Sequence, residues 1–112
     1  MRSEATHLLD MLLAARKIEN FSAGLTQEKF NVSELHQSAI IRELQVIGEA
    51  ARLISEETKD EHPEIKWADI AGMRNRLIHE YFRVSLEILW QTVEESVPTL
   101  IEELGKIVSD IN

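Results

Sequence analysis

The longest helical pattern in the chain is residues 33–58, SELHQSAIIRELQVIGEAARLISEET. Two apolar stripes run along it with helical spacing, and Ser33 is a suitable N-cap. The first stripe contains Ile40, Leu44, Ile47, Ala51 and Ile54, and the second contains Ala39, Val46, Ala50 and Leu53. Together they are wider than one neighbouring helix would cover. This helix is therefore expected to pack on two sides, and Gly48 leaves room for another backbone to approach closely.

Helical periodicity extends on both sides of this stretch, because only four Gly and two Pro interrupt the chain. Further helices are predicted at residues 3–21, at residues 67–82 and from Ser85 onward. A short helical turn capped by Thr26 fills the first connection. Pro98 lies inside the last helix and predicts a kink, since proline removes one backbone hydrogen bond. The predicted fold is all-α, an antiparallel bundle of four main helices plus a short connecting helix.

Length and composition restrict what this fold can do. The 112 residues form one domain, 1–112, which buries roughly 65% of its unfolded surface and has no room for a cleft between two lobes. An active site must then be shallow or shared between subunits. The absence of cysteine excludes a disulfide framework, a thiolate zinc site and a cysteine nucleophile. With no long apolar run and no signal-peptide pattern at the amino terminus, a cytoplasmic protein is expected.

Charge is high overall and unevenly distributed. The formal net charge of −8 makes the chain a poor sequence-independent binder of nucleic acid, since each phosphate contact needs a Lys or Arg. Residues 66–83 nevertheless hold four basic side chains against two acidic ones, whereas acids dominate from residue 84 onward. Solvated faces of amphipathic helices account for such a pattern by themselves. Any chemistry on RNA or nucleotides must therefore be local.

The helix predicted at residues 67–82 carries side chains suited to such chemistry. Arg74, Asn75, His79 and Tyr81 lie close together along it. Arginine presents a fixed fork of donors to phosphate oxygens, and histidine can accept and return a proton near neutral pH. The two suffice for RNA cleavage without a metal. The imidazole would take the proton of a ribose 2′-hydroxyl, and the guanidinium would stabilise the charge that develops on the phosphate.

Helical geometry limits how these side chains can meet. At about 100° per residue, Arg74 and His79 lie about 140° apart, so one regular helix cannot direct both to a single point. Either the helix unwinds near His79, or a second copy of the helix completes the site across a two-fold axis. The small size of the domain favours the second arrangement. Gly72 also favours it, because a glycine inside a helix usually has a packing reason.

The sequence RNRLIHEY at residues 74–81 resembles the R-x4-6-H-x-Y signature of the HepT-like proteins in the HEPN superfamily. Three further stretches are similar to family sequences in content and order: IGEAA at residues 47–51, HPEIKW at residues 62–67 and GMRNRLIH at residues 72–79. The resemblance covers nearly the whole chain.

This resemblance implies a homodimeric helical toxin of a toxin–antitoxin pair, with a metal-independent endoribonuclease site built from both subunits. Arg74 and His79 would be catalytic, and Asn75 would assist. Tyr81 would be the residue that a minimal nucleotidyltransferase antitoxin modifies with AMP. Such a group adds bulk and negative charge beside the site, where it would compete with the substrate phosphate.

Other interpretations stay open. Arg76 and Arg83 would hold RNA phosphates together with Arg74, but the same groups could bind phosphate without cleaving it, in a non-catalytic dimer that binds a nucleotide or a nucleotidyltransferase. A purely structural helical adaptor is a third possibility. No metal, cofactor or membrane partner is expected: Glu4-x-x-His7 is the only Glu-x-x-His pair, and a di-iron bundle needs two.

Overall fold

The computed structural model describes residues 3–80 and 83–111, and within them all regular structure is helical. The α-helices are α1 (Glu4–Ser22), α2 (Gln27–Val32), α3 (Glu34–Arg52), α4 (Glu56–Glu61), α5 (Trp67–His79), α6 (Leu86–Gln91) and α7 (Val97–Ile111). A π-helical turn, Thr92–Ser96, joins α6 to α7. The predicted all-α class is confirmed. None of the helices in the described residues is long and apolar enough to cross a lipid bilayer.

Local capping fixes where the helices begin. Four hydroxyls at the predicted helix starts each accept a backbone N–H from the first turn of the following helix. They belong to Ser3, Thr26, Ser33 and Ser85. Each bond satisfies one of the amide groups that a helix start leaves without an intrahelical partner. The starts of α1, α2, α3 and α6 therefore follow from the sequence alone.

The end of α3 differs from the prediction. The helix stops at Arg52 rather than near residue 58, and Ser55 caps the separate short helix α4. A contact from α1 reaches this turn: the carboxylate of Glu4 accepts the N–H of Ser55 and, at 2.6 Å, the hydroxyl of Thr58. These hydrogen bonds, that of Thr58 foremost, lower the pKa of Glu4. The amino ends of α1 and α4 are thus joined by residues distant in sequence.

The bundle is built around α3. This helix packs against both α1 and α5, as its two stripes predict, and α1 also packs against α7. Ile40 and Ile47 of the first stripe are buried. At one end, the rings of Phe30 and Trp90 pack with their centroids 5.4 Å apart. Helix α5 packs mainly against α3, and Leu77 is the one residue that α5 buries fully in the described part of the chain.

The break in regular geometry expected at Pro98 takes the form of the π-helical turn. The N–H of Val97 bonds to the carbonyl of Thr92, five residues earlier instead of four. Proline lacks an N–H, and its ring collides with the carbonyl four residues before it. A wider turn directly upstream relieves that collision, so the apolar face of the last helix continues past the proline.

The Glu4 contact predicts a pH-dependent contribution to stability. Because folding lowers the pKa of Glu4, its contribution is present above the pKa of the unfolded chain and is lost as the pH falls through the folded pKa. We expect Glu4→Gln to lower the melting temperature by about 2–6 °C at about pH 7. The difference between the variant and the wild type should shrink as the pH falls and vanish below the folded pKa of Glu4. Thermal unfolding followed by circular dichroism measures both.

Glu28→Gln is the matched control. Glu28 is also an acidic residue in the first turn of a helix, and it is exposed. Both substitutions remove a negative charge from a helix amino terminus, but only Glu4→Gln removes the contact to α4. Equal losses in the two variants would show that the charge at the helix end, rather than the contact, is responsible.

Candidate active site on helix α5

Arg74 lies where α5 crosses α3, directly over Gly48. A Cβ atom built on Gly48 would stand 2.6 Å from the Cβ of Arg74, and 3.0 and 3.3 Å from its Cγ and Cδ. Side chains in a packed interior do not approach so closely. Any residue larger than glycine would therefore push α5 away from α3. The space that the sequence predicts at Gly48 is filled by the aliphatic stem of Arg74.

Two neighbours hold the guanidinium of Arg74. Its Nε donates to Oε1 of Glu49 at 2.7 Å, and its Nη1 donates to Oδ1 of Asn75 at 3.2 Å. The side chain of Arg74 is 22% exposed, so its stem is covered while part of the guanidinium still faces solvent. Asn75, predicted to assist Arg74, is in direct contact with it.

Glu49 connects two arginines. Its Oε2 accepts a hydrogen bond from Nη2 of Arg52 at 3.5 Å, while its Oε1 accepts from Arg74. The hydrogen bond from Arg74 is the main cause that lowers the pKa of Glu49, and the positive charges of Arg74 and Arg52 act in the same direction. Glu49 is therefore ionised at neutral pH. Two guanidiniums and one carboxylate leave this cluster with a net positive charge.

His79 is the last residue of α5, and it is exposed. The helix is regular up to this residue, and the N–H of Glu80 closes the final turn on the carbonyl of Arg76 at 2.8 Å. The helix predicted to extend to residue 82 thus ends at His79, but it is regular from Arg74 to His79, so no unwinding between the two residues brings their side chains together. Because Arg74 faces α3 and His79 lies about 140° further around the helix axis, one copy of α5 directs the two side chains to different sides.

The remaining predicted residues lie near the end of α5. Arg76 and Arg83 are exposed. Tyr81, the predicted modification site, lies outside the described residues. Gly72 is exposed as well, and a Cβ built on it would meet no atom within 4 Å. The described part of the chain thus provides no packing reason for this glycine.

Glu49 and Arg52 are the residues of this site that sequence reasoning missed. Glu49 precedes Arg74 by 25 residues, so no helical spacing links them. One signal was available: Glu49 belongs to the block IGEAA at residues 47–51 and directly follows the glycine that leaves room for a neighbour. The contact of this block with Arg74 becomes apparent only in the folded chain, in which α5 packs across it.

A separate groove of about 450 Å³ lies between α3, α5 and the last helix. Its apolar lining includes Ile47 and Met73. The acidic residues that line it are Glu64, Asp69, Glu95 and Glu103, with Lys66 as the one basic residue among them. Such a charge is unfavourable for RNA, and neither Arg74 nor His79 lines the groove. Within residues 3–80 and 83–111, no group of three or more His, Asp or Glu is placed to hold a metal ion.

Fold and site together define a class of protein, an all-α bundle in which one helix carries an arginine and, five residues later, a histidine. Residues 11–107 match the family described as ribonuclease HepT-like, and the chain belongs to that family.

Alignments with relatives cover most of the chain. One from Thermococcus cleftensis, named "Probable ribonuclease HepT", is 41% identical over 106 residues, which are 95% of this chain and 96% of the relative. One from Methanocaldococcus jannaschii, named as a putative RNase, is 36% identical over 104 residues, 93% of this chain and 86% of the relative. Another, from Caldanaerobacter subterraneus and named in the same way, is 36% identical over 85 residues, 76% of each chain. No solved structure matches significantly.

The contact over Gly48 predicts an unusual response to alanine. In an open helix position, replacing glycine by alanine stabilises a protein by up to ~1 kcal/mol. We expect that gain for Gly105→Ala in α7, where a Cβ would meet no atom within 4 Å. Gly48→Ala should instead lose ~1–3 kcal/mol through overpacking against Arg74. Urea unfolding measures both free energies, and equal stability of the two variants would contradict the close packing described here.

Proposed function

We propose that this protein is a metal-independent endoribonuclease that acts as a homodimer and serves as the toxin of a toxin–antitoxin pair. The observation that carries the proposal is the placement of Arg74 and His79 about 140° apart on one regular helix. Two copies of α5, facing each other across a two-fold axis, can bring both groups to one phosphate. RNA as substrate is supported by relatives, covering nearly the whole chain, that are named as ribonucleases.

The proposed chemistry needs only protein side chains. His79 of one subunit takes the proton of a ribose 2′-hydroxyl, and the 2′-oxygen attacks the adjacent phosphorus. The O2′–P bond forms, the P–O5′ bond breaks, and the leaving 5′-oxygen receives the proton that this same His79 took up. Arg74 donates to the phosphate oxygens and stabilises the negative charge that develops there. The products are a 2′,3′-cyclic phosphate and a 5′-hydroxyl.

Surface features near α5 support RNA binding and dimer formation. Arg76 and Arg83 are exposed, and the cluster of Arg52, Arg74 and their shared carboxylate is net positive. Gly72 leaves the open face of α5 accessible to a second copy. On a chain of net charge −8, these arginines are basic groups close to His79 that can neutralise phosphates.

Purified protein should cleave single-stranded RNA in the presence of EDTA and leave 2′,3′-cyclic phosphate ends. We expect Arg74→Ala and His79→Ala each to reduce the rate by at least ~100-fold with the helical circular dichroism spectrum unchanged. Mixing the two inactive variants should restore part of the activity, because a mixed dimer contains one intact Arg74 and one intact His79. Gel analysis of end-labelled RNA measures all four samples.

Three outcomes separate the parts of this proposal. Equal cleavage by the wild type and His79→Ala would remove the enzymatic role of His79. Inactive single variants that regain nothing on mixing would contradict a site shared between subunits. A wild type that binds RNA or a nucleotide but leaves RNA intact would favour the non-catalytic dimer.

We further propose that a minimal nucleotidyltransferase antitoxin neutralises the toxin by transferring AMP from ATP to the phenol oxygen of Tyr81, with release of pyrophosphate. Tyr81 is the only tyrosine of the chain and follows His79 by two residues. A nucleotide linked there would place a phosphate charge and a bulky base close to the catalytic histidine. The added charge would compete with the RNA phosphate for the arginines.

Co-expression with the nucleotidyltransferase should increase the intact mass by one or more AMP units and suppress RNA cleavage. Tyr81→Phe removes the phenol oxygen and keeps the ring, so it should show neither effect and should retain its own cleavage activity. Mass spectrometry of the whole protein measures the modification. An AMP-sized increment that persists in Tyr81→Phe would contradict this assignment.

A further inference from the structure

We infer that Glu49 is a positioning residue for the proposed cleavage: it determines which edge of the Arg74 guanidinium faces the RNA phosphate. The inference rests on the proposed function and deepens it. It does not make Glu49 catalytic, because Glu49 acts through Arg74.

The hydrogen-bond pattern of Arg74 carries the argument. Arginine has five N–H groups, one on Nε and two on each Nη nitrogen. Nε is engaged by Glu49 at 2.7 Å and Nη1 by Asn75 at 3.2 Å. A phosphate that bound the Nε edge would have to displace the Glu49 carboxylate. Asn75 takes only one of the two N–H groups of Nη1. The edge left for an anion is therefore the distal one, between Nη1 and Nη2, and its direction is set by α3.

Packing reinforces this orientation. The Cβ, Cγ and Cδ of Arg74 lie over Gly48, the residue before Glu49. Stem and head of the arginine are thus both fixed by adjacent residues of α3. A guanidinium held in this way can meet a developing charge without reorganising, which is where fixed donors contribute most to rate.

The charge of Glu49 opposes substrate binding, and this separates positioning from simple attraction. A carboxylate beside the site repels an incoming phosphate, while Arg52 at 3.5 Å offsets part of that repulsion. If Glu49 only affected binding, its removal would tighten binding of RNA and leave turnover unchanged. If it positions Arg74, its removal lowers kcat without raising KM.

The test compares three variants under single-substrate kinetics with a short RNA. Glu49→Ala should lower kcat by about tenfold or more while KM stays equal or falls. Glu49→Gln should recover most of kcat, because its amide oxygen can still accept the Nε–H of Arg74. Glu56→Ala is the control: among the described residues, the carboxylate it removes pairs with Lys59, at 3.7 Å, so kcat should not change.

A second measurement does not depend on activity. The ¹⁵N-edited side-chain spectrum, with the Arg74 signal assigned by Arg74→Lys, should show a protected Nε–H in the wild type and in Glu49→Gln. In Glu49→Ala this signal should broaden through exchange with water. An unchanged kcat in Glu49→Ala, or an Nε–H signal identical to that of the wild type, overturns the inference. If the wild type cleaves no RNA, the proposed function fails by itself, and the Nε–H signal still decides whether Glu49 fixes the guanidinium.

Discussion

The close crossing of α5 over α3 at Gly48 is the contact on which the site depends. It places the stem of Arg74 against a helix backbone and brings Nε within 2.7 Å of Glu49. Folding orders this long side chain in advance. The conformational entropy that a flexible arginine would lose on binding its ligand is therefore already lost before binding. The same crossing positions α5, the helix that ends at His79. The absence of a side chain at Gly48 therefore affects both the packing of α5 on α3 and the position of the Arg74 guanidinium.

The electrostatics of the site are a balance rather than a simple attraction. Glu49 repels the phosphate that Arg74 attracts, but Arg52 on its other oxygen leaves the three-residue cluster positive. Two of the carboxyl-terminal acids, Glu95 and Glu103, line the separate groove, which neither Arg74 nor His79 lines. Salt screens exposed charges beyond about 8–10 Å, so the local cluster outweighs the net charge of −8 at short range. An acidic protein can in this way keep a positive site.

The sequence predicted the features that depend on neighbouring residues. Hydroxyl caps such as Ser33 and Ser85 fixed the starts of helices, and the helical period correctly separated Arg74 from His79. The sequence did not predict the end of α3, because the break there involves Glu4, which lies 51 residues before Ser55. Contacts between distant residues leave no local period to detect. The ion pair of Arg74 was missed for the same physical reason.

Under the proposed function, the small size of the chain explains why dimer formation and RNA cleavage depend on each other. Helix α5 buries one residue fully, Leu77, and packs mainly against a single neighbour, so much of its surface is open. A second subunit that covers this surface would stabilise α5 by burying apolar area and would at the same time bring the second pair of Arg74 and His79 into reach. A single chain of 112 residues obtains neither gain, because its core side chains already pack around α3. The bundle supplies the fixed arginine, and the proposed dimer supplies the geometry that a regular helix excludes.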